Sequence, residues 1–320
     1  MTKRKSKQSN NKSIARGPIA RKVIAGARQH MAQTVTDLAQ FKAGKINAEN
    51  FQKTVISQED LKDFDPVHGL YVYAQNQLSV MIELLVELPA LDKIGESYSD
   101  SMEGYIPSFP PMSPITISYY TSWASFDLTS SGAKKETLCT IATDFCRFMK
   151  VDEDLLHLYE LMQASRMGIY QVEAVDGDFV HLKEFVTEYR IKTIVPSGYL
   201  GQPGEMWLTR IMPPPFDHPS FDYSVAFTTP YVLAKGTNFS HYNTNIEQLW
   251  QNYFDRTLCL TGFEEHIPAY EQLMKYGLNR DYWHEYIFCA YSNYTADKIL
   301  LCGLPDEPAS LPHGDLARTS

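Results

Sequence analysis

Two hydrophobic periods alternate along this chain. From Val67 to Leu88, the apolar residues Leu70, Tyr73, Ala74, Leu78, Met81, Leu84, Leu85 and Leu88 recur every three or four positions, the stripe of an amphipathic helix, and Pro89 ends it. The same period predicts helices over Ala20–Ala43, Lys134–Met149 and Glu153–Arg166, the last with Asp152 as its N-cap. Ile115–Leu128, rich in Tyr, Trp and Phe, reads as a buried segment that is extended or partly helical.

After Arg166 the period falls to two. Tyr170, Val172 and Ala174 alternate with Gln171 and Glu173 up to Asp176-Gly177, a favoured hairpin pair. Further strands are predicted over Phe179–Phe185, Tyr189–Val195, Met206–Met212 and Ser224–Leu233. Five short strands with tight turns suit a small barrel better than a sandwich, which needs about seven. Helical spacing resumes at Ile246–Phe254, Ile267–Tyr276 and Tyr282–Ala290, with Gly277 as a stop.

The fold class expected is therefore α+β: a helical body with a central five-stranded small β-barrel, SH3-like or OB-like, or else an open antiparallel sheet. The boundaries read as a basic disordered tail over 1–28, a helical region over 29–166, a barrel over 167–235, a helical C-terminal region over 243–302 and a flexible tail over 303–320. Within the second, prolines at 107, 110, 111 and 114 predict a rigid connector whose PxxP spacing is short and common.

Composition adds little to this picture except through charge. Residues 1–28 hold nine basic side chains and no acid, which leaves the rest with 20 basic against 38 acidic residues, a net of −18. Lys3, Arg4, Lys5 and Lys7 lead this tail and are candidates for polyanion contact through counterion release, so nucleic acid is a partner to consider there. The barrel stretch 167–235 has five basic residues against eight acidic and is poorly suited to holding nucleic acid by itself.

The five cysteines form no CxxC pair and are odd in number, as expected of reduced thiols in a cytoplasmic protein. No apolar run approaches the roughly 20 residues of a membrane span, so no membrane partner is expected.

Candidate chemistry is sparse. His284-Glu285 begins like a zinc-protease helix, but Phe288 stands where the second histidine belongs. The loop Pro196–Glu205 has three glycines but neither phosphate-binding pattern, and a strand follows it. Asp217-His218 are adjacent and seldom face each other, and no serine lies in GxSxG. No cofactor, metal site or catalytic set is predicted. Tyr199, Trp207 and Arg210 are residue types that stack on or anchor ligands, Glu205 closes the glycine loop, and Arg166 marks the switch from helix to barrel; these five are the candidate ligand or partner contacts. For Trp207 and Tyr199 the competing reading is closure of the barrel core, and for Arg166 it is a cation at a helix C-terminus.

The segments SYYTSWASFDL, ASRMGIYQV, PSGYLGQPGEMWLTRIMPPP, FTTPYVL, WHEYIFCAY and GLPDEP resemble an uncharacterised family of bacterial proteins. That resemblance implies a bacterial origin and a shared fold, and it implies no activity, cofactor or site residue. The expectation is a non-enzymatic intracellular binding or regulatory protein that engages a protein or peptide through its barrel. The alternatives are an enzyme of the hydrolase or nuclease class with a site assembled from distant residues, and an accessory nucleic-acid binder.

Overall fold

The computed structural model describes residues 17–32, 56–105, 114–130, 135–234 and 245–314. The period-two stretch forms strands β1 (Met167–Asp176), β2 (Phe179–Glu184), β3 (Arg190–Ile194), β4 (Met206–Met212), β5 (Ser224–Ala226) and β6 (Tyr231–Ala234). The first five close in the order β1-β2-β3-β5-β4 and back to β1. All pairs are antiparallel except β3 with β5, which run parallel. A meander would pair neighbours in chain order, so the exchanged order of β4 and β5 selects the Greek-key, OB-like alternative.

Alternation sets which faces are buried. Tyr170, Val172, Val180, Leu182, Trp207 and Ile211 fill the barrel interior. All seven residues of β4 are buried, because its outer face is covered as well. Met206 and Leu208 pack on one helical layer and Met212 on another.

The second of those layers comes from the N-terminal half: α1 (Pro18–Ala32), α2 (Gln58–Leu61), α3 (Pro66–Val86), α4 (Asp92–Tyr105), α5 (Ile117–Phe126), α6 (Leu138–Phe148) and α7 (Glu153–Ala164). Asp152 caps α7 as its sequence predicts, accepting from the N–H groups of Asp154 and Leu155. Tyr71, Leu78, Ile141, Tyr159 and Met162 meet Met212 and Val225 there. The first layer is formed by α8 (Ile246–Thr257), α9 (His266–Tyr276) and α10 (Tyr282–Ala290), with Tyr119 and Trp123 of α5, against Ile169, Leu208 and Leu233.

Several expectations are corrected. Ser224–Leu233 is two strands, because the Thr228 hydroxyl takes the Arg210 N–H that a continuous ladder would use. The C-terminal region is not helical throughout: β7 (Tyr291–Tyr294) and β8 (Ile299–Cys302) form a hairpin, and β8 runs parallel to β6. The predicted flexible tail starts too early, since Leu304 and Leu311 are buried and Arg256 pairs with Asp306 and Glu307. The basic tail likewise ends sooner than residue 28. Pro18 starts α1, and the buried Glu136 carboxylate accepts the N–H groups of Ile19 and Ala20 at 3.0 Å each. Asp92–Tyr105 is helical without having been predicted. Lys3, Arg4, Lys5, Lys7 and most of the proline connector lie outside the described residues.

Candidate functional site

The two ends of the barrel differ. At one end the loop from Val195 to Glu205 folds back, with Tyr199 and Leu200 packed against the barrel core. Tyr199 donates to Glu205 at 2.9 Å and Trp207 Nε1 donates to the same carboxylate at 3.2 Å. Gly201 makes this possible: its φ is +67°, and a Cβ there would lie 2.4 Å from the Trp207 ring. Lys298 caps Tyr199 from outside at 4.3 Å. Burial, helped by the Glu205 bond, raises the Tyr199 phenol well above its usual range. Three of the candidate residues, Tyr199, Glu205 and Trp207, are thus brought together, but as a plug. Trp207 is 0% exposed and offers no stacking face.

The other end is open. A cleft of about 410 Å³ enters the barrel mouth between β3 and the end of β4, walled by the end of α7 and by Pro213 and Pro214. Those prolines are held from behind, where Tyr71 donates to the Pro213 carbonyl at 2.6 Å. The cleft exists because the barrel closes incompletely. β3 pairs with β5 only at Thr193 and Ile194, which leaves Arg190–Lys192 with no strand on that side among the described residues. Glu184 N–H bonds to the Tyr189 carbonyl, so residues 189, 191 and 193 face β2. By alternation, both backbone groups of Arg190 and the N–H of Lys192 face the cleft.

At the floor sits a fixed ion pair. Arg166 Nη1 and Nη2 donate to the two Glu184 oxygens at 2.6 and 3.2 Å, and Thr187 adds a third donor at 2.5 Å. Glu184 follows Val180 and Leu182 on the inward face of β2, so a carboxylate ends an apolar row. Gly168 leaves room for it: a Cβ there would lie 2.6 Å from the Tyr170 hydroxyl and 2.7 Å from Glu184. Burial opposes the Arg166 charge, but the Glu184 bonds outweigh it and raise its pKa; Tyr170 is raised by burial and then by Glu184. The guanidinium also lies 5.0 Å from the Tyr270 ring centre. Arg166 stands at the opposite end of the β1–β4 ladder from the glycine loop: Met167 pairs with Arg210 at one end and Gln171 with Met206 at the other.

Tyr189 and Arg190 stand at the rim, the first 69% exposed, and Arg190 reaches Glu173 at 3.0 Å. Glu188 precedes them with φ +59°, a left-handed conformation that is uncommon outside glycine and that turns the chain out of β2. Lys192 lies 3.3 Å from Asp222 and 4.3 Å from the Phe179 ring.

Arg210 is placed differently from the contact expected of it. It points outward from β4 into the seam between the two helical layers and is 1% exposed. Its Nη2 donates to Asp127, the C-cap of α5, and its Nη1 to the Ser165 carbonyl at 2.9 Å. Lys275 of α9 enters the same seam, with Nζ 3.2 Å from Asp127. Arg210 is thus a structural cation.

Sequence reasoning missed Glu184, Tyr189, Arg190 and Lys192, which are spread over β2 and β3; the apolar alternation ending in Glu184 is the one signal that pointed there. No histidine or cysteine lines the cleft, and no group of three metal-ligating side chains occurs among the described residues. No described helix is long and apolar enough to cross a membrane. Compared with protein-family models, curated proteins and solved structures, the chain matches none, so the resemblance to bacterial sequences gains no support.

Proposed function

We propose that the chain is a non-enzymatic binding protein of the cytoplasm whose ligand seats in the barrel-mouth cleft. The observation that carries this reading is the open end of the barrel, where an unpaired strand edge, the Arg166–Glu184 pair and the exposed Tyr189 converge on one cavity. Its volume of about 410 Å³ falls in the usual range of ligand sites, roughly 300 to 1,000 Å³. Binding is favoured over turnover because Glu184, the buried carboxylate of the cleft, already receives three donated hydrogen bonds. The five free cysteines suit a reducing compartment.

The test uses Ala164, the exposed last residue of α7, which borders the cleft. Ala164→Trp fills the cleft without disturbing the core. Native mass spectrometry of untagged protein from its own cells is expected to show a non-covalent ligand in the wild type and its loss from the variant at unchanged thermal stability. A ligand kept in full by the variant overturns the reading.

A second reading concerns the tail ahead of α1, supported by the six basic residues and no acid of positions 1–16. Deleting residues 1–16, which stops short of the Glu136-anchored helix, is expected to lower heparin retention and flatten its salt dependence. Unchanged retention removes that reading.

A further inference from the structure

We infer that the occupant of the cleft is an extended peptide segment that adds as a strand to the free edge of β3, with an acidic side chain facing Arg190. This inference rests on the cleft being the binding site, and it adds what the site recognises. Three backbone groups, the N–H and C=O of Arg190 and the N–H of Lys192, point into the gap where β3 has parted from β5. An unpaired strand edge is a template for another strand, and natural barrels usually cover or close it. Here it is presented rather than hidden. The edge faces a cavity, and the left-handed turn at Glu188 brings it out beside an exposed tyrosine and arginine, residue types that anchor interfaces.

Side-chain alternation sets the chemistry of the occupant. Ile191 packs into the barrel core and lines the cleft with Ile211, so an inward side chain of the added strand meets apolar surface above the Arg166–Glu184 floor. Arg190 and Lys192 project to the outer face. Their present partners, Glu173 and Asp222, are exposed surface carboxylates bound by weak ion pairs that an incoming glutamate can replace. A nucleic-acid strand is disfavoured, because it has no alternating backbone N–H and C=O groups to pair with the edge of β3.

The probe is a capped pentapeptide alternating valine with glutamate, used with two forms N-methylated at one or the other set of alternate backbone nitrogens. Amide shifts of the full-length, isotope-labelled chain report binding. One methylated form is expected to lose affinity at least tenfold and the other to stay within about threefold, because only alternate backbone groups of an added strand face β3. Lys192→Pro, which removes one outward N–H and leaves the β2 ladder intact, is expected to weaken the parent peptide tenfold, while Lys192→Ala weakens it less. The methylated peptides decide the matter if the proline variant fails to fold. Equal binding of all three peptides, or none at millimolar concentration, overturns the inference. Binding that Ala164→Trp abolishes but N-methylation leaves alone overturns the added strand and keeps the cleft as the site; binding indifferent to Ala164→Trp overturns both.

Discussion

Arg210 and Lys275 share one acceptor: the Ser165 carbonyl takes a hydrogen bond from Arg210 Nη1 at 2.9 Å and from Lys275 Nζ at 2.8 Å. Two cations meet in a buried seam because three negative ends converge there. Asp127 supplies a full charge, and the Ser165 and Gln163 carbonyls add the C-terminal end of α7. Burial still lowers the Lys275 pKa, with Asp127 opposing it, so the ammonium is the more dispensable of the two cations.

Asp127→Asn is therefore expected to destabilise the chain by about 3 to 5 kcal/mol, since both cations stay buried without their counter-charge. Lys275→Met is expected to cost much less, because it removes a charge that the site holds at a penalty. Urea unfolding of the two variants checks the ranking, and an equal loss from both refutes this account of the seam.

The plug gives a more local prediction. Gly201→Ala combines a φ of +67° with a Cβ that meets the Trp207 ring, whereas Gly198→Ala has a φ of +82° and nothing within 4 Å. Strain alone is worth roughly 1 to 3 kcal/mol, so the Gly201 variant should lose the larger amount by adding a collision to it. Hydrogen exchange at Gly204, whose N–H bonds to the Val172 carbonyl at 2.8 Å, should quicken in the first variant and hardly in the second.

How much of this was legible in the sequence depends on the range of the forces involved. The barrel was legible because alternation is local and a glycine marks the first turn, although Asp176 stays in the ladder opposite Phe179 and the turn pair is Gly177-Asp178, one residue later than Asp176-Gly177, with Gly177 at φ +59°. The break at Thr228 was not, because a threonine standing in for a ladder bond leaves no mark on hydrophobicity. The hairpin after Ala290 was hidden by a short polar strand, Tyr291–Tyr294, whose stability comes from β8 lying along β6. In the site, Arg166 was visible as an oddity at a boundary, but its partner Glu184 and the free edge of β3 follow from register, which propensity does not encode. Asp127 and Lys275 reach Arg210 only once α5 and α9 dock.

Alkaline pH should unfold the chain through its buried phenols. Burial pushes Tyr231 up to about 12, partly offset by the Thr116 N–H that its oxygen accepts at 3.2 Å. A raised folded pKa gives stability that is full below pH 10 and is lost as pH rises toward 12, about 2 to 3 kcal/mol for this group. Tyr231→Phe should start about 1 kcal/mol less stable at pH 8, through the unmet Thr116 donor, and should fall less steeply above pH 10. Parallel losses in the two proteins would place the alkaline limb on other tyrosines.

The acid side belongs to His284, which in sequence looked like the start of a zinc site. It lies instead on α10 in an aromatic box, with its ring edge-on to Trp123 at 4.0 Å and to Tyr119 at 5.2 Å, and it is 0% exposed. Burial, reinforced by the Arg280 charge, lowers its pKa to about 3. The unfolded chain binds a proton near pH 6.5 and the folded chain does not until far lower, so stability contributed by the neutral ring is full above pH 6.5 and is lost as pH falls toward 3. The loss amounts to roughly 4 to 5 kcal/mol across that window. His284→Phe keeps a ring in the box and cannot titrate. Its urea midpoint should therefore change little between pH 7 and pH 4, while that of the wild type drops; a variant that loses as much as the wild type would assign the acid limb to carboxylates.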